Sequence, residues 1–262
     1  MGIRDRYYID GRVTDCSCAD KCVADRSGEK DTLSDPLTEK LVDFGVLCSD
    51  AENESGAEIG DPTEVALVNL AEKYGKKASD LRRQIPRLGE LPFDSERKLM
   101  STVHAYRGKQ ILITKGAVDV LCDRIDFRET ASGVIPFTEE HREQFQKANL
   151  ALSREGLRVL AFAYREISNR DVTFEDESHF TFVGLMAMMD PPRAESKEAV
   201  EKCIRAGIRP VMITGDHKIT AAAVAKQIGI LKNDDEAVEG AVLDGLSLSL
   251  IHIWHGNPDL RR

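Results

Sequence analysis

The sequence predicts two unlike parts: an α+β part with an antiparallel sheet flanked by helices, running to about Met189, and a doubly wound α/β stretch from Asp190 onward. Three observations carry this. Met100, Thr102, His104 and Tyr106 alternate along one stretch, and Gly108 divides them from the apolar run Ile111-Leu112-Ile113, so two strands pair as a hairpin. Loop-separated helices and further strands surround that pair. Beyond Asp190-Pro-Pro-Arg193 the order becomes helix, strand, helix at close spacing, which with the preceding strand implies right-handed crossovers and a parallel sheet.

In chain order, residues 7–13 read as a strand with a turn at Asp10-Gly11, and residues 14–35 as a polar loop. Pro36 precedes an amphipathic helix carrying Leu37, Leu41, Phe44 and Leu47. Residues 50–60 are acidic and read as a second loop. In Gly60-Asp-Pro-Thr-Glu64, Asp61 is a cap, Pro62 suits the first helical position and Glu64 falls in the first turn; Val65, Val68, Leu70 and Ala71 follow as the buried stripe. Ile85-Pro86 and Leu91-Pro92-Phe93 break the pattern, and Phe93-Asp-Ser-Glu-Arg-Lys98 reads as a charged turn. Val118, Leu121 and Ile125 recur at helical spacing after Ala117. Phe137, His141, Phe145, Ala148 and Leu152 share a face of a long helix over residues 137–157, ended by Glu155-Gly156. Residues 157–164 and 180–189 are strands joined through the acidic loop 171–177. Ser196 reads as the cap of a helix with Ala199, Val200, Cys203 and Ile204 inward and Gly207 at its end. Residues 208–213 read as a buried strand, and residues 217–228 as a helix stopped by Gly229. There is no internal repeat.

Bulk properties narrow the function classes. With 262 residues the chain buries a core without disulfide or metal staples. Its 36 Lys and Arg against 45 Asp and Glu give a net charge of −9, which speaks against nucleic acid or acidic lipid as the main partner. Met1-Gly-Ile-Arg-Asp-Arg lacks the apolar core of a secretory signal, and no apolar run reaches the ~18 residues of a membrane span, so a soluble, cytosol-facing chain is expected. Among six cysteines, Cys16, Cys18 and Cys22 form a cluster that lacks a fourth ligand and the paired zinc spacing, and it reads as part of a reduced loop. Cys122 and Cys203 fall on apolar helix faces and read as small core residues.

Several residues have the chemistry of a phosphate-bearing ligand site. Lys115-Gly116 stands where a strand hands over to a helix: glycine permits close approach of a ligand or another backbone, the helix start favours negative charge, and Lys115 adds a mobile cation. Phe93 is a core residue by default, but an aromatic five positions ahead of Lys98 also suits a planar anionic ligand. Arg158 on an apolar strand must reach water or find a partner. Thr214-Gly215-Asp216 follows the strand at its C-terminal end, where α/β sheets bind ligands, although Asp216 also reads as a simple helix cap.

Taken together and in order, Gly60-Asp-Pro-Thr-Glu64, Phe93 to Lys98, Lys115-Gly116-Ala117, Asp190-Pro-Pro-Arg193 and Thr214-Gly215-Asp216 resemble the cytoplasmic catalytic region of P-type cation-transporting ATPases, with Leu91-Pro-Phe-Asp-Ser-Glu-Arg-Lys98 closest to the calcium-type branch. The resemblance covers the chain to about Gly245 and implies a nucleotide-binding domain over residues 1–189, part of a haloacid-dehalogenase-like, Rossmann-type phosphorylation domain over 190–246, and a tail over 247–262 that departs from the family as a truncation or assembly artefact. It implies that ATP is bound with Mg, whose protein ligands lie outside this chain. Glu64 is similar to the acceptor for the adenine amino group and Phe93 to the ring on which adenine stacks. Lys98 and Lys115 are similar to the cations of the cleft, with Gly116 admitting backbone, and Arg158 to the phosphate-contacting arginine. Asp190 and Arg193 resemble hinge residues that meet the nucleotide on domain closure, and Thr214, Gly215 and Asp216 the phosphate and ribose contacts of the phosphorylation domain. No residue here is assigned a catalytic or metal-ligand role.

The Asp-Lys-Thr-Gly-Thr motif that carries the family's phosphorylated aspartate does not occur in this sequence, nor does the magnesium-binding Gly-Asp-Gly-Val-Asn-Asp. The resemblance therefore implies an ATP-binding piece of a pump, inactive alone, with the actuator and transmembrane parts of the pump as partners and the cytoplasmic face of a membrane as its place. A haloacid-dehalogenase-type phosphatase is the second reading, although no Asp-x-Asp nucleophile motif follows a strand. A non-catalytic interaction module is the third.

Overall fold

The structure is a computed structural model and describes residues 6–15, 35–54, 57–168, 171–188, 194–214, 218–233, 237–238 and 242. The chain divides into two compact units, Met1–Ser153 with Leu157–Pro191, and Arg154–Gly156 with Pro192–Arg262.

The first unit is organised on a sheet. Its strands among the described residues are β1 (Arg6–Ile9), β2 (Arg12–Asp15), β5 (Arg87–Asp94), β6 (Leu99–Tyr106), β7 (Lys109–Gly116), β8 (Ile125–Thr130), β9 (Gly133–Pro136), β10 (Arg158–Glu166) and β11 (Phe180–Met188); β3 (Glu52–Glu54) and β4 (Ala57–Ile59) form a separate hairpin. The main order is β2-β1-β11-β10-β7-β6-β5, all antiparallel, with β8 parallel to β11 and antiparallel to β9. Asp10-Gly11 and Arg107-Gly108 take positive φ at both positions, the turn that suits the twist of a two-residue hairpin.

Helices α1 (Pro36–Leu47), α2 (Pro62–Lys73) and α3 (Ala78–Gln84) pack on one face of the sheet, and α4 (Val118–Cys122) and α5 (Glu139–Arg154) on the other. Strand alternation divides the core accordingly: Met100, Ile111, Ile113 and Phe162 join the first cluster, and Leu99, Val103, Leu112 and Ala161 the second. Two covered faces explain why β7 is apolar without interruption at Ile111-Leu112-Ile113. Helix α1 lies deepest. Asp35 caps it by accepting from the Leu37 and Thr38 amides, both at 3.2 Å, and Phe44 meets Tyr106 and Tyr164 edge-on. Its charged residues are paired as burial requires: Lys40 with Glu129 at 2.6 Å, and Asp43 with Lys76 at 2.5 Å and the Tyr106 hydroxyl at 2.9 Å.

Several expectations change. Residues 50–60 are not all loop, because β3 and β4 pair there. Pro86 precedes a strand, β5, and Pro92 lies inside it rather than ending it, tolerated because β5 is at the sheet edge. The helix after Ala117 ends at Cys122, and Ile125 opens β8, where parallel pairing with β11 outweighs the local helical spacing. Helix α5 spans Glu139–Arg154 rather than 137–157, and Thr14 and Asp15 belong to a strand rather than opening a loop. The Cys16, Cys18 and Cys22 cluster lies outside the described residues.

The second unit contains α6 (Ala194–Arg205) and α7 (Lys218–Gln227). Ser196 is inside α6 and does not cap it; of the four residues expected inward, Val200 is buried and Cys203 partly so, while Ala199 and Ile204 are exposed. The expected buried strand over 208–213 is not formed: Ile208, Val211 and Ile213 are 59%, 63% and 93% exposed. A strand needs a neighbour for its N–H and C=O groups, and none pairs with this stretch among the described residues. The tail over 247–262 lies outside the described residues.

Candidate functional site

At one end of the first unit's sheet the C-terminus of β7, the start of β10 and the turn from β5 to β6 come together, with the N-terminus of α2 above β7. The start of α2 is built as its sequence demands. Asp61 accepts from the Thr63 amide at 2.8 Å and Pro62 occupies the first turn. Burial opposes ionisation of Asp61, but hydrogen bonds from Thr63 and the nearby Arg158 outweigh it and hold the carboxyl below its usual range.

Glu64, in the first turn of α2, organises this corner. Its Oε2 accepts from the Asp50 and Ala51 amides at 2.8 and 3.2 Å, and its Oε1 accepts from the Lys115 ammonium. Oε1 therefore retains the spare acceptor capacity of this carboxylate. Lys115 lies inside β7 with its side chain 7% exposed, so it is a fixed, paired cation rather than the mobile one expected from sequence. Cys48, which sequence reasoning passed over, sits under this pair with Sγ 3.4 Å from the Met100 carbonyl oxygen, and burial pushes its thiol up.

Gly116 is tied to backbone rather than left open. A Cβ there would strike the Lys98 carbonyl and the Leu99 side chain, and the Ala117 amide donates to that same carbonyl at 3.1 Å. Lys98 has φ +54, a left-handed conformation uncommon for lysine; its side chain is 52% exposed and its Nζ stands 4.0 Å from Asp119. Phe93 is not in the core. It is 62% exposed near the end of β5, in the irregular stretch between the Leu91–Ser101 and Asp94–Leu99 pairs that leads into the β5–β6 turn. Arg158 opens β10, is exposed, and donates to Thr63 Oγ1 at 3.1 Å, beside Glu64.

Glu64, Phe93, Lys98, Lys115, Gly116 and Arg158 are thus gathered at one corner of the first unit. Thr214 belongs to the second unit and is exposed there, while Asp190, Arg193, Gly215 and Asp216 lie outside the described residues. Sequence reasoning missed Thr63, which anchors Arg158, and Glu177, whose buried carboxylate takes Arg97 of the β5–β6 turn at 2.5 Å. Within the acidic loop Glu177 looked like any solvated carboxylate; its place directly before an apolar strand was the available signal.

Comparison with known proteins decides the family. The profile described as "P-type ATPase, cytoplasmic domain N" matches residues 37–195. This chain belongs to the P-type ATPases. It is 44% identical over 210 residues to Calcium-transporting ATPase 1 of Lactococcus lactis subsp. lactis, covering 79% of this chain and 24% of that one. It is 42% identical over 208 residues to Calcium-transporting ATPase 1 of Bacillus cereus (79% and 23%) and 36% identical over 219 residues to the calcium-transporting ATPase of Bacillus subtilis (81% and 24%). The chain thus spans about a quarter of the length of these P-type ATPase relatives. The sheet flanked by helices is consistent with the family's nucleotide-binding domain. Among the described residues no helix is long and apolar enough to cross a membrane, and no group of three or more His, Cys, Asp or Glu is placed to hold a metal ion.

Proposed function

We propose that this P-type ATPase domain binds ATP at the corner formed by Phe93, Lys98, Lys115, Glu64 and Arg158, as part of a pump that phosphorylates an aspartate outside this chain and moves a cation, calcium by the names of its relatives. The observation that carries the reading is the exposed Phe93 ring at the same corner as exposed Lys98 and Arg158. An exposed aromatic ring at the same end of the sheet as two exposed cations suits a purine bearing phosphates. Adenine stacks on Phe93, its amino group donates to Glu64 Oε1, and the phosphates reach Lys98 and Arg158. Lys115 holds Glu64 in place and adds positive potential from below.

Phosphoryl transfer depends mainly on positioning and charge neutralisation. This chain supplies nucleotide positioning; Mg would be bound with the nucleotide, by ligands elsewhere in the pump, and would supply charge neutralisation at the phosphates. We assign residues 1–189 to the nucleotide-binding domain, 190–246 to part of a haloacid-dehalogenase-like domain, and Asp190, Arg193, Thr214, Gly215 and Asp216 to hinge and phosphate contacts completed when the pump's domains close. The domain works at the cytoplasmic face of a membrane, with the actuator and transmembrane parts as partners. The isolated chain binds ATP weakly and does not hydrolyse it. Titration with a fluorescent ATP analogue tests this, with Lys115→Ala and Phe93→Ala as controls; binding indifferent to both substitutions removes the assignment.

A further inference from the structure

The turn that carries Phe93 and Lys98 is exposed over residues 92–96, β5 is an edge strand, and Pro92 contributes no amide. Lys98 also carries the cost of its positive φ. Local bonds shape the turn: Asp94 Oδ1 accepts from the Glu96 and Arg97 amides at 3.0 and 2.8 Å, and the Asp94 carbonyl from the Lys98 amide at 2.6 Å. The Lys98 carbonyl, accepting from the Ala117 amide at 3.1 Å, ties the Lys98 end of the turn to the end of β7.

Arg97 supplies a long-range tie. One guanidinium nitrogen donates to Glu177 Oε1 at 2.5 Å and the other to the Pro92 carbonyl at 2.6 Å, while the guanidinium lies 4.7 Å from the Phe174 ring centre. Arg97 therefore grips the residue directly before Phe93 and itself directly precedes Lys98. Its anchor is rigid. The Glu177 side chain is fully buried, Oε1 also accepts from Ser101 Oγ at 2.6 Å, and Ser101 shares a hydrogen bond with Thr114 at 2.8 Å. Arg124 donates to the Glu177 carbonyl at 2.9 Å and stands 3.9 Å from Oε2, which has no hydrogen-bond partner. Burying a carboxylate this way costs desolvation that packing alone does not repay.

We propose that Glu177, acting through Arg97, is a positioning residue that aims the Phe93–Lys98 turn at the nucleotide. The inference rests on the ATP-binding reading above. If the clamp sets the pose of Phe93, the contribution of that ring to binding depends on Glu177. A merely structural glutamate would lower stability and leave the ring's contribution unchanged in the folded molecules.

A double-mutant cycle on the full chain separates the two. The affinity of a fluorescent ATP analogue is measured for wild type, Phe93→Ala, Glu177→Gln and the double variant, with urea denaturation in parallel to correct for the folded fraction. Glu177→Gln is expected to weaken binding about fivefold, and Phe93→Ala to cost less than about twofold further in that background. Equal losses from Phe93→Ala with and without Glu177 overturn the clamp while leaving the ATP reading intact. Absence of binding by wild type overturns the ATP reading and the clamp with it. Should Glu177→Gln not fold, Arg97→Gln replaces it in the cycle under the same criteria.

Discussion

Lys115 gives its ammonium to the carboxylate of Glu64, 51 positions earlier in the chain, and so joins the middle strands of the sheet to the first turn of α2. The lysine is buried and the glutamate nearly so. Removing the carboxylate leaves a cation with few alternatives and also releases the Asp50 and Ala51 amides. Glu64→Ala is expected to destabilise the chain by roughly 2–4 kcal/mol, read from urea denaturation midpoints. Lys115→Ala is expected to cost less than Glu64→Ala, because the glutamate it frees keeps its two backbone donors.

Phe93 is expected to separate binding from stability. Its ring is 62% exposed, so Phe93→Ala leaves the denaturation midpoint within about 0.5 kcal/mol of wild type. The same substitution weakens an ATP analogue by roughly five- to tenfold, the worth of one stacked ring. Phe93→Trp retains the affinity.

Gly116 is expected to behave in the opposite way. An added methyl meets the Lys98 carbonyl, which is backbone and already bonded to the Ala117 amide. Gly116→Ala should therefore cost more than about 2 kcal/mol in stability and displace Lys98. Thermal melts check the first effect, and nucleotide titration of the remaining folded chain the second.

His104 gives a pH signature. Its ring is buried, with Nδ1 3.2 Å from the Ile85 carbonyl oxygen and no partner at Nε2. Burial, opposed by that carbonyl and reinforced by Arg87, pushes its pKa from 6.5 down to about 4. Above pH 6.5 both folded and unfolded chains hold it neutral and its contribution is complete. As pH falls from 6.5 toward 4 the unfolded chain takes up a proton that the folded chain refuses, so stability drops, by on the order of 3 kcal/mol in all. Urea midpoints measured from pH 7 to pH 4 should fall less steeply for His104→Gln than for wild type.

Local grammar was legible in the sequence. Asp10-Gly11 turns, Asp61 caps and Pro62 starts α2 because those roles depend on adjacent residues. What escaped depended on distant partners. The helical spacing of Val118, Leu121 and Ile125 is genuine, yet β11 recruits Ile125 into the sheet. Residues 208–213 have a strand's composition but no strand beside them among the described residues. At the site, residue types pointed to a phosphate-bearing ligand, but no spacing could reveal that Lys115 is spoken for by Glu64, or that Glu177 reaches 80 positions back to Arg97. The exposure of Phe93, the least expected of these findings for an aromatic, is what favours the ligand role over the core role.

The pairing of β11 has a consequence for biosynthesis. This strand meets β10, β1 and β8 all at once, and it is the last of the sheet to be translated. Residues 6–9, paired early with β2 on one side, wait for their other neighbour until Met188 has left the ribosome, roughly 10–40 s later at ordinary elongation rates. Until then the flank of β10 that β11 will cover stays an open edge.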